Sequence, residues 1–312
     1  MIIVARKYVN KGFIQQLDGT YAVLIHPVNG YLEAEQIEAI YRLAKQYGKV
    51  KLTVTEAIMI FGIKPENFDQ VAEELEKVHL PLANIGPVVR NVKVCSSQYC
   101  KHVIRDVTPL AAQINQRLAG MATPKKFKIA LNGCPNSCVE AQLNDLGVIA
   151  VQDGYWLYLG GKGGRQPQLG TRLDVVIKEE HLVETVERIV KGYLRVAQNE
   201  RLAEVIDRMG LLPFLKVALA WNSEGIKTCI GARYCKNGVG DVHTMAERIV
   251  SAGNLQENIT ISGCGNVCAV DREARCNVVI LKDRLWVYSN SGMDVLDADQ
   301  LPEYLRSKGI LK

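Results

Sequence analysis

Eight of the nine cysteines in this 312-residue chain fall into four close pairs: Cys95/Cys100, Cys134/Cys138, Cys229/Cys235 and Cys264/Cys268. Nine thiols are too few for a disulfide scaffold of this length, and the odd total argues against a fully paired one. Thiolates brought together in pairs can ligate metal. Zinc prefers CxxC knuckles on tight hairpins, whereas spacers of three or more residues spread the sulfurs as a four-iron cube requires. On spacing alone a [4Fe–4S] cluster, zinc and unligated thiols all stay open.

The pairs also mark an internal duplication. VCSSQYCKHVIRDV is echoed by TCIGARYCKNGVGDV, and LNGCPNSC by ISGCGNVC. Beyond the second pair the register holds without a gap, because Trp156 and Trp286 each lie 18 residues after the last cysteine, Cys138 or Cys268. Under that register Cys276 falls opposite Leu146 and should be an apolar core position.

Each copy needs a scaffold that delivers its cysteines. A helix between the pairs is expected to start at Thr108-Pro109 and stop at Gly120. Strands over Lys126–Leu131 and Asn258–Ser262 then lead into CxxxC. Two further strands, Gly147–Val151 and Tyr155–Leu159, flank a hairpin turn at Asp153-Gly154. Upstream, residues 21–88 read as a separate α+β unit of ferredoxin-like flavour: strand TYAVLIHP, helix Leu32–Tyr47, strand KVKLTVT and helix Asn67–His79.

The expected class is therefore α/β, built of α+β modules, with a ferredoxin-like half-domain followed by two related cysteine modules. The boundaries are an arm at 1–20, the half-domain at 21–88, a first module at 89–200, a helical linker at 201–223 and a second module at 224–312. Hydrophobic residues make up 48% of the chain and charged ones 23%, enough for a sizeable core. A net charge of +5, spread along the chain, suits an anionic ligand better than nucleic acid. No apolar run reaches the roughly 18 residues of a membrane helix, and MIIVARKYVNKGF has no export pattern. The expected location is cytoplasmic, with no membrane and no nucleic-acid partner.

GPVVRNVKVC, PKKFK, LNGCPNSC and GGKGGRQPQLG, preceded by LTVTEAIMIFGI, together resemble the sulfite and nitrite reductases that couple sirohaem to a [4Fe–4S] cluster. The resemblance is close from residue 21 to about 200 and weaker over 225–290. It implies cluster ligation by Cys95, Cys100, Cys134 and Cys138, with Cys138 also bridging to the sirohaem iron. It maps anion binding to Arg90 and anion binding with proton delivery to Lys126 and Lys128. Sirohaem is rich in carboxylates, so its pocket calls for cations and approachable backbone. Lys125, Lys162 and Arg165 supply charge, Gly160, Gly161, Gly163 and Gly164 supply open backbone, and Asn132 offers a polar side chain.

The implied activity is reduction of a small anion, sulfite or nitrite, fed by an external electron-donor protein. The alternative is a non-catalytic electron-transfer or tetrapyrrole-binding subunit. The second module keeps Cys229, Cys235, Cys264 and Cys268 but replaces Arg90 by Glu224, KKFK by ENITI, and Gly160/Gly161 by Asn290/Ser291. That pattern suggests a second cluster that relays electrons. Two departures stand out. The family's T-x-R-Q segment is replaced by Thr53, Val54, Thr55 and Glu56, expected to weaken dianion binding, and CSSQYC is one residue shorter than CIGARYC. The family pairs two half-domains, so a homodimer or a partner subunit is also implied.

Overall fold

The computed structural model describes residues 6–211, 213–214, 222–223, 225–235, 237–282, 284–289 and 292–312. The first residues of the arm, linker residues 215–221, and Glu224, Asn290 and Ser291 lie outside the described residues. The chain divides into two compact units, Met1–Gly210 and Leu211–Lys312.

The first unit opens with a four-stranded antiparallel sheet of order β1-β2-β4-β3, from Phe13–Gln15, Tyr21–Ile25, Val50–Leu52 (β3) and Ile58–Ile63 (β4). Two amphipathic helices cover it: α1, Ala34–Tyr47, and α2, Phe68–Lys77. Helix α1 is started by a capping box between Glu33 and Gln36 and buries Ala39, Ile40 and Leu43 along one stripe. These side chains join Val23, Ile25, Ile60, Phe68, Val71 and Leu75 in one core. Strand β1 lies before residue 21, and Tyr8 and Phe13 are core residues, so part of the expected arm belongs to this sheet.

Strand β4 was not anticipated, and KVKLTVT is a strand only as far as Leu52. From Thr53 the chain turns back. The Thr53 hydroxyl accepts from the Thr55 and Ala57 amides, and the Thr53 amide donates to the Ala57 carbonyl. This local bonding competes with strand pairing and leaves Glu56 at φ 59°. IMIFGI then supplies the strand that Val50–Leu52 pairs with.

The first cysteine module is a five-stranded sheet in sequential order: β5 Lys93–Val94, β6 Ile129–Asn132, β7 Leu146–Val151, β8 Gly154–Leu159 and β9 Thr171–Ile177. Strands β5, β6 and β7 run parallel, and β8 and β9 return antiparallel. Helices α3, Thr108–Leu118, and α4, Glu179–Val196, pack together beside it. Thr108 is the first helical residue and not the cap; Asp106 accepts from its amide instead. Gly120, at φ 85°, ends the helix as expected. The hairpin loop is Gln152-Asp153, and Gly154 already pairs with Val151. The last helix of this unit, α5 (Leu202–Met209), lies within the expected linker.

The second unit repeats the plan with one extra edge strand: β10 Asn222–Ser223, β11 Ile226–Thr228, β12 Ile259–Ser262, β13 Cys276–Ile280, β14 Leu285–Ser289 and β15 Gly292–Leu296. Its helices include α6 (Gly231–Tyr234), α7 (Val242–Ala252) and α8 (Leu301–Ser307). The repeat is exact in register. Ile129 pairs with Leu146 and Ile259 with Cys276, while Ile149 faces Trp156 and Val279 faces Trp286. Cys276 is fully buried in the apolar core, and burial pushes its thiol up to about 12.

Candidate functional site

In both modules a parallel strand runs straight into the CxxxC loop. Strand β6 ends at Asn132, Gly133 follows, and the Gly133 amide donates to Cys95 Sγ at 3.2 Å. Ser137 adopts φ 50°, which turns the chain so that the Val139 amide donates to Asn132 Oδ1 at 3.1 Å. The second module reproduces each element. The Gly263 amide donates to Cys229 Sγ at 3.1 Å, Val267 sits at φ 47°, and the Ala269 amide donates to Ser262 Oγ at 3.1 Å. A β-branched residue in the left-handed region is strained, so the loop shape is held by its surroundings against local preference.

Cys95 lies near the other three thiols of its module. Burial pushes its thiol up, the Gly133 amide draws it down, and Cys138, Cys134 and Cys100 each push it up further. The shorter first pair is absorbed locally. Ser97–Tyr99 forms a 3-10 turn where the second module has the four-residue helix α6, and the tighter turn reaches the next cysteine with one residue fewer. None of the nine cysteines is in a disulfide. Among the described residues no three His, Cys, Asp or Glu side chains converge tightly enough to hold a single metal ion.

Two observations bear on a bound cluster. The donor set of four thiols with an amide on one sulfur is the chemistry an iron–sulfur group needs. Asn132 Nδ2 is a buried donor with no partner, on the residue that leads into the loop, and a bound acceptor would satisfy it.

Next to the first cysteine module is a cavity of about 150 Å³ that draws on both parts of the first unit. Arg90, Lys126 and Lys128 line it, and so do Lys93, His26 and Thr55. None of the described residues lining it is acidic. Arg90 is fixed by the Gly86 and Asn84 carbonyls, at 3.3 and 3.2 Å. Burial draws the Lys128 ammonium down, and Lys126, Lys93, Arg201 and Arg90 push it the same way. His26 is buried, which draws its imidazole down, with Nδ1 3.1 Å from the Pro27 carbonyl.

A buried carboxylate holds the backbone that carries Lys128. Asp145 is fully buried and accepts from the Lys128 amide at 2.8 Å and from Arg201 at 2.7 and 3.2 Å. Glu56, the acidic departure at the turn, is not among the lining residues; its carboxylate accepts from the Val94 amide at 3.1 Å.

The remaining expected residues lie outside the cavity. Lys125 and Arg165 are exposed, and Lys162 is held 3.5 Å from Glu204. Gly160 and Gly161 form a close passage: a Cβ on Gly161 would meet the Gln142 carbonyl at 2.1 Å. Gly163 and Gly164 have open space around them, so a ligand could reach that backbone. Sequence reasoning missed Lys93 and His26. The faint signal for Lys93 was one charge inside the apolar strand VKVC.

Residues 85–224 match the family model for the nitrite and sulphite reductase 4Fe–4S domain, and residues 14–78 match the nitrite/sulfite reductase ferredoxin-like half domain. The chain is 32% identical over 216 residues to the large subunit of an NAD(P)H nitrite reductase of Klebsiella oxytoca, which covers 68% of this chain but 23% of that protein. An assimilatory-type sulfite reductase of Nitratidesulfovibrio vulgaris is 25% identical over 210 residues, covering 64% of this chain and 94% of the relative. The chain spans only about a quarter of the length of the nitrite reductases it matches.

Among solved structures, the Mycobacterium tuberculosis NirA protein shares the fold at a TM-score of 0.60 and 14% identity, over 96% of this chain and 85% of that one. Dissimilatory sulfite reductase I follows at 0.57 and 16%, over 72% and 73%. No helix among the described residues is long and apolar enough to cross a membrane. With two family models together matching well over half of its length, the chain belongs to the nitrite/sulfite reductase family and carries that family's 4Fe–4S domain.

Proposed function

We propose that this chain reduces a small oxyanion, sulfite to sulfide or nitrite to ammonia, using sirohaem and a [4Fe–4S] cluster and electrons from an external donor. The observation that carries the reading is the acid-free cavity holding Arg90, Lys126 and Lys128 beside the first cysteine module. Half-buried Arg90 and Lys128, with the exposed Lys126 beside them, attract an oxyanion and stabilise the charge that builds on it. Arg90, anchored on two carbonyls, orients the anion, and Lys126 and Lys128 carry the protons that multi-electron reduction consumes.

Cys95, Cys100, Cys134 and Cys138 would hold the cluster, with Cys138 the residue shared with sirohaem. Bound there, sirohaem would supply the iron at which the oxyanion is reduced. Cys229, Cys235, Cys264 and Cys268 would hold a second cluster that relays electrons. The matching amide-to-sulfur bonds at Gly133 and Gly263 support equal treatment of the two sets.

The test is viologen-driven turnover of sulfite and of nitrite by the anaerobically purified protein and by Lys126→Met and Arg90→Met. Turnover that falls at least about a hundredfold in both variants fits removal of electrostatic stabilisation. A cofactor-loaded wild type that turns over neither anion would leave an electron-transfer role instead.

A further inference from the structure

The cavity holds a fourth cation that the sequence pattern did not point to. Lys93 belongs to β5, two residues before Cys95, and pairs in register with Ala130 of β6. It is only 9% exposed, and it lines the cavity together with Arg90, Lys126 and Lys128. A buried ammonium is costly unless a carboxylate or ligand answers it. The carboxylate facing it is distant and wet: Glu140 lies 4.0 Å away and is 64% exposed. Glu56 attracts Lys93 more weakly still, and its carboxylate accepts from the Val94 amide.

The duplication supplies an internal control. Lys227 occupies the same strand position in the second module, paired in register with Thr260. There the lysine is exposed and closes on Asp271 at 3.2 Å. The position equivalent to Asp271 in the first module is Ala141, so nothing comparable captures Lys93. One strand position thus carries a solvated surface lysine in one copy and a buried lysine among three other cations in the other.

We propose that Lys93 is an anion-binding residue of this cavity, and that its charge favours dianions over monoanions. The assignment rests on reading the cavity as an oxyanion site and names a further residue and a selectivity for it. Four cations gathered without an acidic lining residue repel one another, and an anion at their centre relieves every pair at once. The attraction each cation contributes scales with the ligand's charge, so a dianion gains about twice as much free energy from Lys93 as a monoanion does.

The experiment is calorimetric titration of the anaerobically purified holoprotein with sulfate as the dianion and nitrate as the monoanion. Wild type is compared with Lys93→Met, Lys93→Arg and Lys126→Met. Lys93→Met should weaken sulfate on the order of a hundredfold and nitrate on the order of tenfold, with Lys93→Arg close to wild type. If Lys93→Met does not fold, Lys93→Gln, which keeps a polar head, carries the same comparison. Unchanged affinities in the Lys93 variants, with a loss in Lys126→Met, would overturn the role of Lys93 and leave the oxyanion site standing. Equal losses for both anions would overturn the selectivity. Unchanged affinities in Lys126→Met as well would sink the oxyanion reading itself.

Discussion

Replacing Arg201 by methionine should destabilise the first unit far more than loss of a surface ion pair would. Asp145 is fully buried, and its carboxylate is met by three donors: Arg201 at 2.7 and 3.2 Å and the Lys128 amide at 2.8 Å. The Arg201 side chain is itself only 12% exposed, so water screens little of the interaction. Arg201→Met leaves a buried carboxylate with one backbone donor. Stranding one partner of a buried pair costs about 3–5 kcal/mol. In a unit of this size that lowers the melting temperature on the order of 10 °C.

Asp145→Asn removes the charge but keeps a group able to accept, and it leaves Arg201 unanswered. The double variant Arg201→Met/Asp145→Asn should therefore lose about 2 kcal/mol less than the two single losses combined. Urea denaturation followed by circular dichroism measures all three variants. A cost below about 1 kcal/mol for Arg201→Met, the scale of an exposed pair, would show that water reaches Asp145 and would refute the reasoning.

Two further expectations concern the cysteines. A Cβ at Gly133 would meet the Arg105 carbonyl at 2.6 Å, Ser97 Cβ at 2.8 Å and Val103 Cγ2 at 2.9 Å, and a backbone carbonyl cannot swing aside. Gly133→Ala should displace the amide from Cys95 and lower bound iron by about four atoms per chain, read by elemental analysis; full iron content would contradict the cradle. At the ninth cysteine, Cys276→Val should leave iron content unchanged, whereas Cys138→Ser should lower it. The folded Cys276 thiol, held at about 12 against an ordinary 9.0, keeps its proton where the unfolded chain loses it. Stability should therefore fall as pH rises from about 9 toward 12 in wild type, and less so in Cys276→Val. Ready alkylation of Cys276 in the folded protein at neutral pH would rule out this placement.

Much of the scaffold was legible because it repeats. Two copies of a pattern fix a register that one copy cannot, and the pairing of Leu146 and Cys276 with equivalent isoleucines follows that register. The ferredoxin-like unit was legible from the spacing of apolar residues along its helices. Thr53–Ala57 was not, because a threonine hydroxyl bonding its own backbone overrides β-branched residues that otherwise favour a strand. The cations split the same way. The resemblance gives Arg90, Lys126 and Lys128 a role, whereas Lys93 lies within GPVVRNVKVC with no role attached, and its burial depends on what packs around β5. Asp145 and Arg201 are 56 residues apart, and no local pattern links them.

The account stands or falls on what the paired cysteines bind. The most direct measurement is the visible spectrum of the protein purified without oxygen, taken with its iron, acid-labile sulfide and zinc content. The account predicts the bands of an iron isobacteriochlorin with about nine irons per chain, from two four-iron clusters and one tetrapyrrole iron. A colourless protein with zinc and no labile sulfide would contradict it.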